Sequence, residues 1–210
     1  MKLYDMKIAP NPRRVRIFMA EKGINIPRIE VDIPGEENLK EDFQKKNYRG
    51  LVPVLELDDG TCIDESVAIC RYLEELYPEP NLLGKDALSR AQIESWQRHM
   101  EFDGFLSAAN VFRNTFPLFS ERGIPGRPAG FKAIPDLAKR GRAQYRLFLD
   151  DLDKRLGDNE FIAGDEFSIA DITALVTLDF GKVAGLELPA EYKNIHRWHA
   201  QVSSRPSAAA

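Results

Sequence analysis

A segment rich in helix and strand breakers, Tyr77-Pro78-Glu79-Pro80-Asn81, divides this 210-residue chain into two parts with different sequence patterns. Before it, strand-like and helix-like stretches alternate, and after it only helical patterns are found. A chain of this length fits one large domain or two small ones. The change of pattern predicts two domains, residues 1–77 and 88–210, joined by a linker over residues 78–87.

The first part is predicted to fold as βαβ, a weakly helical stretch, ββ and α. The predicted strands are 2–4, 28–33, 54–57 and 61–63, and the predicted helical stretches are 12–22, 36–46 and a helix that begins at 66. The turn Asp58-Asp59-Gly60 between the last two strands is typical of a β-hairpin. This order predicts a mixed sheet covered by helices.

The second part is predicted to be all-helical. A long helical pattern covers 88–119, residues 123–135 read as a loop rich in proline and glycine, and an amphipathic helix includes 145–156. Ser168 and Asp171 have the spacing of a capping box, which fixes how a helix begins. We assign this box a structural role only.

Composition excludes several classes of function. The net charge is −4 and the pI is about 5.5, which argues against a nucleic-acid partner. The sequence has no apolar run of about 20 residues, so no membrane span is expected. Cys62 and Cys70 form neither a CxxC motif nor a metal site, and both are expected to pack in the core of a protein of the reducing cytoplasm. Three arginines of the first helix are expected on a solvated face: Arg13, Arg14 and Arg16.

Four separated segments, in order, resemble the soluble glutathione transferase family over nearly the whole chain. They are Pro12-Arg13-Arg14-Val15-Arg16-Ile17, Asn47-Tyr48-Arg49-Gly50-Leu51-Val52-Pro53, Asp64-Glu65-Ser66-Val67-Ala68-Ile69 and Ser168-Ile169-Ala170-Asp171. The resemblance implies a fold of class α/β plus all-α, with a thioredoxin-like βαβ-α-ββα domain followed by an all-helical domain. It further implies a homodimer that binds glutathione as co-substrate, mainly on the first domain.

The resemblance also implies which residues bind glutathione. Pro53 would follow a cis peptide bond, and the backbone of Val52 would pair with the cysteinyl unit of the tripeptide. Ser66, at a helix start, would bind the γ-glutamyl carboxylate, and Glu65 the ammonium group beside it. Asn38 matches a family position that contacts the cofactor. The alternatives are an ordinary trans proline on an edge strand and a serine that only caps its helix.

The thiol-activating position departs from the family pattern. Ala9 stands where many members carry a serine, and alanine cannot donate a hydrogen bond to a thiolate. Asn11 is the candidate activator through its side-chain amide, although an Asn before Pro12 is also a favourable helix cap. Tyr4 supplies another nearby hydroxyl, but it is expected within the first strand.

The resulting prediction is an enzyme that conjugates the glutathione thiolate to a small hydrophobic electrophile, in a detoxifying role. One alternative is a glutathione-dependent disulfide reductase, peroxidase or isomerase at the same site. Another is a non-catalytic binding or regulatory module, because a fold does not fix a function. The electrophile pocket is expected between the domains, near four aromatic residues of which most are expected in the core: Phe102, Phe105, Phe112 and Phe116.

Overall fold

A four-stranded mixed sheet organises the N-terminal part of the computed structural model, which describes all residues from Met1 to Ala210. Strand β1 pairs in parallel with β2 and antiparallel with β3, and β3 forms an antiparallel hairpin with β4, so the order is β2-β1-β3-β4. The strands are β1 (Lys2–Asp5), β2 (Arg28–Glu30), β3 (Val54–Glu56) and β4 (Cys62–Asp64). The helices are α1 (Pro10–Glu21), α2 (Glu41–Gln44) and α3 (Ser66–Leu76). The predicted order of elements and the mixed sheet are confirmed.

The two faces of this sheet have different cores. Leu3 and Leu55 are fully buried in the main core, together with residues of α1 and α3. Because side chains alternate along a strand, the neighbouring residues point the other way. Val54 joins Phe43 of α2 in a small second cluster on that face. The sheet is therefore covered on both faces.

Two predicted boundaries in this part are wrong. Helix α1 begins at Pro10 rather than at residue 12, with Ala9 as its cap and no side-chain capping bond. Both Pro10 and Pro12 are tolerated because backbone N–H groups of a first helical turn have no intrahelical partner. Strand β2 is three residues long, and all three are exposed, since it lies at the edge of the sheet and pairs only with β1.

The remainder of the chain is helical, as predicted. The long pattern over 88–119 is one rod with three segments: α4 (Ala87–His99), a π-helical segment (Met100–Phe105) and α5 (Leu106–Thr115). The rod ends in a short 3-10 turn at Pro117–Phe119. The sequence does not predict the π-helical segment. Its Gly104 allows close packing, because a Cβ on this residue would lie only 2.7 Å from the ring of Phe148. The other helices are α6 (Pro135–Gly157), α7 (Ile169–Val183) and α8 (Lys193–Ser203).

Helix α7 is the centre of the helical domain. The capping box is confirmed: Ser168 caps α7, and the carboxylate of Asp171 accepts from the Ser168 N–H at 3.0 Å. Asp171 also accepts from the Ile162 N–H at 3.0 Å and from the Trp198 indole at 2.9 Å. Burial raises the pKa of Asp171 to about 6, against the effect of these donors. Its role is to fix the start of α7.

Helices α1 and α7 pack against each other and join the two domains. Arg13 of α1 donates to Asp179 of α7 at 2.6 Å. At the other end of α1, Glu21 accepts from Arg205 near the C-terminus at 2.7 Å. The two domains are thus held by ion pairs at both ends of α1. None of the helices combines the length and the apolar composition that a membrane crossing requires.

Candidate functional site

Three chain segments with available polar groups meet at one edge of the sheet. In the register of the strands, Tyr4 of β1 lies opposite Val54 of β3, which lies opposite Asp64 of β4. The segments that follow β1 and β4 and the segment that precedes β3 therefore share this edge. They are the first turn of α1, the first turn of α3 and the loop that carries Val52 and Pro53.

The loop before β3 presents one backbone N–H and one backbone C=O that are not hydrogen-bonded. The Val52–Pro53 peptide bond is cis. Neither the N–H nor the C=O of Val52 is hydrogen-bonded within the chain. The loop is held from behind, because the Asn47 amide donates to the Leu51 carbonyl at 3.0 Å. Val52 can thus accept and donate to an extended peptide, as in the addition of a strand to a sheet edge.

Asn38 supports this loop with its buried side chain. Its side chain is only 2% exposed, and its Nδ2 donates to the Gly50 carbonyl at 2.8 Å. Gly50 has a positive φ of 64°, and a Cβ there would meet the Asn38 carbonyl at 3.0 Å. Asn38 thus holds the loop in place. Its direct contact with glutathione stays a prediction.

The first turn of α3 forms the second polar group of the site. Glu65 is the N-cap, with a φ of 63° that is rare for a residue with a side chain. Ser66 is the first helical residue, so the suggestion that it only caps its helix is wrong. Glu65 is exposed and forms an ion pair with Arg49. The turn presents free N–H groups and a partial positive charge, which favour an anionic ligand.

A buried arginine lies directly behind Ser66. Arg14 is 1% exposed, and its Nη1 donates to the Ser66 hydroxyl at 2.9 Å and to Glu101 at 2.7 Å. Glu101 belongs to the π-helical segment and accepts from Arg98 at 2.7 Å with its other oxygen. Burial lowers the pKa of Arg14, and the charge of Glu101 opposes this effect. One network therefore links α1, the start of α3 and the helical domain.

The expectation that the arginines of α1 form a solvated face is wrong, since Arg14 and Arg16 are buried and Arg13 is half-buried in its ion pair with Asp179. Arg16 is 5% exposed and donates to Asp5 at 2.6 Å, and Arg14 is buried as described. The sequence of α1 does not indicate that these arginines are buried, because their acidic partners lie outside the helix. Sequence reasoning thus misses Glu101 and the contact of Arg14 with Ser66.

An open cleft of about 570 Å³ lies beside this network, along α3. It includes Glu65 and Glu101, but neither Val52 nor Asn11. Its other lining residues are Val67, Ala68, Arg71, Tyr72, Glu75 and Arg98. The cleft therefore reaches the start of α3 from the outside, away from the first turn of α1.

The first turn of α1 presents two donors from one residue. Asn11 is the second residue of the helix and not its cap, which corrects the capping alternative. Its side chain is half-buried, and neither its amide nor its backbone N–H donates within the chain. Because Pro10 and Pro12 have no N–H, the Asn11 N–H is the only backbone donor among these three residues. A thiolate at this helix end would meet the positive end of the helix dipole.

Tyr4 is not brought to this helix end. It lies on the α2 face of the sheet, where its ring contacts Phe43 edge-on at a centroid distance of 6.1 Å. Its hydroxyl donates to Glu56 at 2.6 Å. Burial and this bond raise the pKa of Tyr4, which opposes its use as an anionic group. The geometry thus favours Asn11 over Tyr4 as the group near a bound thiol.

Neither cysteine has the surroundings of a reactive thiol. Cys70 is fully buried, and burial raises its pKa to about 12. Cys62 is half-buried and packs beside Val54 and Phe43, and burial also raises its pKa. The core prediction is confirmed for Cys70 and holds in part for Cys62, whose hairpin strand is partly open to solvent.

Aromatic side chains line the helical domain next to α7. The Phe180 ring contacts Phe105 at 5.5 Å and Phe112 at 5.1 Å, and all three rings are half-buried against the core. Phe102 and Phe116 are 61% and 43% exposed. The expectation that most of the four aromatic residues are core is therefore wrong, because the rod turns two of them to solvent.

Comparisons with known proteins agree with this architecture. The family model of the glutathione S-transferase N-terminal domain matches residues 3–81, and that of the C-terminal domain matches residues 131–206. The chain is 32% identical to glutathione S-transferase 2 of Saccharomyces cerevisiae, covering 99% of this chain and 87% of that protein.

Solved structures give the same result. Gtt2 from Saccharomyces cerevisiae superposes with a TM-score of 0.92 at 31% identity, covering 100% of this chain and 99% of that chain. A glutathione S-transferase domain-containing protein of Marinobacter aquaeolei superposes with a TM-score of 0.91 at 36% identity, covering 99% of both chains. The chain therefore belongs to the glutathione S-transferase family, and it is an enzyme that transfers groups onto glutathione, its co-substrate.

Proposed function

We propose that this enzyme conjugates the glutathione thiolate to a small hydrophobic electrophile. The observation that carries the proposal is the convergence of three groups at one sheet edge. These are the unpaired backbone of Val52, the start of α3 at Ser66 and the two free donors of Asn11. They match, in order, the backbone, carboxylate and thiol of one tripeptide.

The γ-glutamyl end of glutathione binds at the start of α3 in this proposal. Its carboxylate accepts from the N–H and hydroxyl of Ser66, and its ammonium group pairs with Glu65. Arg14 holds the Ser66 hydroxyl in place and adds a positive charge. The ion pair between Glu65 and Arg49 opens or is shared when the ammonium group arrives, because Glu65 is exposed.

The cysteinyl unit pairs with Val52, which places its sulfur toward α1. A free thiol has a pKa of about 8.5, so only a small part is ionised at neutral pH. Asn11 stabilises the thiolate with its amide and its backbone N–H, and α1 contributes its dipole. Ala9, at the usual serine position, contributes no hydrogen bond from its side chain.

The reaction follows from this arrangement. The sulfur attacks an electrophilic carbon, a C–S bond forms, and the leaving group departs with its electron pair while the thiol proton has already gone to solvent. The enzyme contributes a stabilised thiolate and the alignment of two reactants, and no covalent enzyme intermediate is needed. The aromatic surface of Phe105, Phe112 and Phe180 is the proposed support for the electrophile.

Glutathione-dependent reduction of disulfides or peroxides is the second candidate. The absence of a serine hydroxyl at Ala9 favours it, because the residue that many members use at this position is missing here. The proposal also includes the domain limits 1–77 and 88–210, a homodimer, a cytoplasmic location and a role in detoxification. The family relationship supports these points.

Calorimetric titration with glutathione, followed by turnover assays, tests the proposal. We expect glutathione to bind and to react with 1-chloro-2,4-dinitrobenzene faster than in the uncatalysed reaction. Turnover of hydroxyethyl disulfide or cumene hydroperoxide alone would favour the second candidate. Absence of glutathione binding at millimolar concentration would refute both.

A further inference from the structure

Arg113, near the end of α5, has no anionic partner. Its guanidinium carbon lies 4.0 Å from the centre of the Phe119 ring, and the side chain is half-buried. No carboxylate lies within ion-pair distance of it, and it donates no hydrogen bond in the chain. The arginines of α1, in contrast, each have an acidic partner: Asp179 for Arg13, Glu101 for Arg14 and Asp5 for Arg16. A half-buried arginine with all its donors free is an exception in this protein.

A second arginine, Arg122, lies near the ring that Arg113 covers, since its backbone N–H donates to the Phe119 carbonyl at 3.0 Å. Arg122 has a side chain only 13% exposed, and its Nη1 is 3.2 Å from a Glu36 carboxylate oxygen. Its Nε is buried without a hydrogen-bond partner. Burial, together with the nearby charge of Arg122, lowers the pKa of Arg113 to about 10. Arg113 therefore remains positively charged at neutral pH, and Glu36 pairs with Arg122 alone.

The loop that carries Arg122 is held in a fixed position. Within it, the Gly123 N–H donates to the Phe131 carbonyl at 2.7 Å, and the Ala133 N–H donates to the Ser120 carbonyl at 2.8 Å. The loop also reaches the thioredoxin-like domain. A Cβ on Gly50 would meet the Gly126 carbonyl at 3.0 Å. The arginine pair therefore lies where the helical domain meets the loop before Val52.

Aromatic contacts connect the arginine pair with the glutathione site. Phe119, under Arg113, contacts Phe112 at a centroid distance of 5.3 Å. Phe112 contacts Phe180, which contacts Phe105, and the ring of Phe105 lies 5.5 Å from the guanidinium carbon of Arg14. Arg14 donates to Ser66. A continuous aromatic cluster thus has the proposed glutathione site at one end and, at the other, the unpaired Arg113 beside Arg122 with its ion pair to Glu36.

We propose that Arg113 and Arg122 bind a carboxylate of the second substrate, so that the preferred electrophile is an aromatic molecule with a negatively charged substituent. The assignment rests on the proposed conjugation reaction and specifies its substrate class. A carboxylate suits this site because a guanidinium group binds it through two parallel hydrogen bonds. An anion here also compensates the charge of Arg113, which has no acidic partner in the fold.

A pair of electrophiles that differ in charge tests the proposal. The neutral probe is 1-chloro-2,4-dinitrobenzene, and the anionic probe is 4-chloro-3,5-dinitrobenzoate. The variants are Arg113→Met, which keeps an apolar side chain over Phe119, and Arg113→Lys, which keeps a charge. Arg140→Met, at an exposed position of α6, is the control for the loss of one positive charge.

We expect kcat/KM for the anionic probe to fall about tenfold or more in Arg113→Met and less in Arg113→Lys. The value for the neutral probe should stay within about twofold, as should both values in Arg140→Met. An equal change for both probes in Arg113→Met, or no change for either, would overturn the assignment and leave Arg113 a structural residue stacked on Phe119.

Binding of the two glutathione conjugates separates this proposal from the proposed function. The conjugates of both probes are titrated calorimetrically into wild type and Arg113→Met, in a buffer without phosphate. Selective loss of affinity for the carboxylated conjugate supports the anion site even if neither electrophile turns over. Equal affinities of each conjugate in both proteins refute it, whether or not the enzyme is active. Absence of glutathione binding refutes the proposed function instead.

Discussion

Replacement of Ser66 by alanine separates a ligand-binding role from a structural one. In the structure its hydroxyl accepts one hydrogen bond, from Arg14 at 2.9 Å, and caps nothing. Arg14 keeps Glu101 at 2.7 Å in the variant, so its charge remains paired. The lost hydrogen bond comes from a charged group, so the expected loss of folding stability is about 1.5–3 kcal/mol.

A separate loss of glutathione affinity is expected. The Ser66 hydroxyl would donate to the γ-glutamyl carboxylate, and a hydrogen bond to a charged group is worth about 1.5–3 kcal/mol. The dissociation constant should therefore rise by at least about tenfold. The backbone N–H groups at the start of α3 remain in the variant, so binding is weakened rather than abolished.

Calorimetry with glutathione and urea unfolding measure the two effects. Ser168→Ala is the matched control, because it removes a buried hydroxyl of the helical domain that caps α7 and donates to the Asp171 carboxylate at 3.1 Å, at a similar cost. Its glutathione affinity should equal that of wild type. A Ser66→Ala protein that loses stability like this control but binds glutathione within about twofold of wild type would refute the reasoning.

Three further predictions concern the stability of the fold and the thiols. Asp171→Ala leaves several buried donors without an acceptor and should lower the free energy of unfolding in urea by about 3–5 kcal/mol. Asp86→Ala, at the exposed capping box of α4, should lower it by only about 1 kcal/mol. Similar losses in the two variants would contradict the role of burial. Burial opposes ionisation of Glu21, but donors from Arg205 and from Ser207 outweigh it and lower the pKa of Glu21. The stabilisation by ionised Glu21 is thus complete above its ordinary pKa of 4.5 and is lost as pH falls through its lower pKa in the folded state. The Tm of Glu21→Gln should therefore lie below that of wild type at neutral pH, and this difference should shrink in acid. A difference that does not depend on pH would contradict this. Native protein should alkylate at Cys62 before Cys70, as peptide mass analysis can show, and the reverse order would be inconsistent with the burial of Cys70.

The order of elements follows from the sequence because each element carries a local signal. Strand alternation, the Asp58–Gly60 turn and the breakers after α3 all depend on neighbours in the chain. The same is true of the capping box at Ser168, which the structure confirms. Local patterns thus predict most of the fold.

Features set by distant contacts are not predictable in this way. Arg14 looks like one of three solvated arginines, and only the fold brings Glu101 and Ser66 to it. Asn38 matches a cofactor-binding position in sequence, but its burial behind Gly50 depends on how the loop folds back. Arg113 has no sequence signal at all, because its distinguishing property is the lack of a partner in space.

The start of α1 shows what a local sequence pattern predicts and what it leaves open. Two prolines close together favour a helix start, but the sequence does not decide which of them opens the helix. The structure begins the helix at Pro10, so Asn11 becomes a residue of the first turn rather than its cap. This shift frees the Asn11 amide for a ligand and strengthens its candidacy as the thiol-activating group.

The pKa of the glutathione thiol in the enzyme complex tests the central claim most directly. It is measured from the ultraviolet absorbance of the thiolate as a function of pH in wild type, Asn11→Ala and Tyr4→Phe, each saturated with glutathione. We expect a pKa at least about one unit below the free value of about 8.5 in wild type and Tyr4→Phe, and a return toward the free value in Asn11→Ala. An unchanged thiol pKa in Asn11→Ala would contradict the assignment of Asn11.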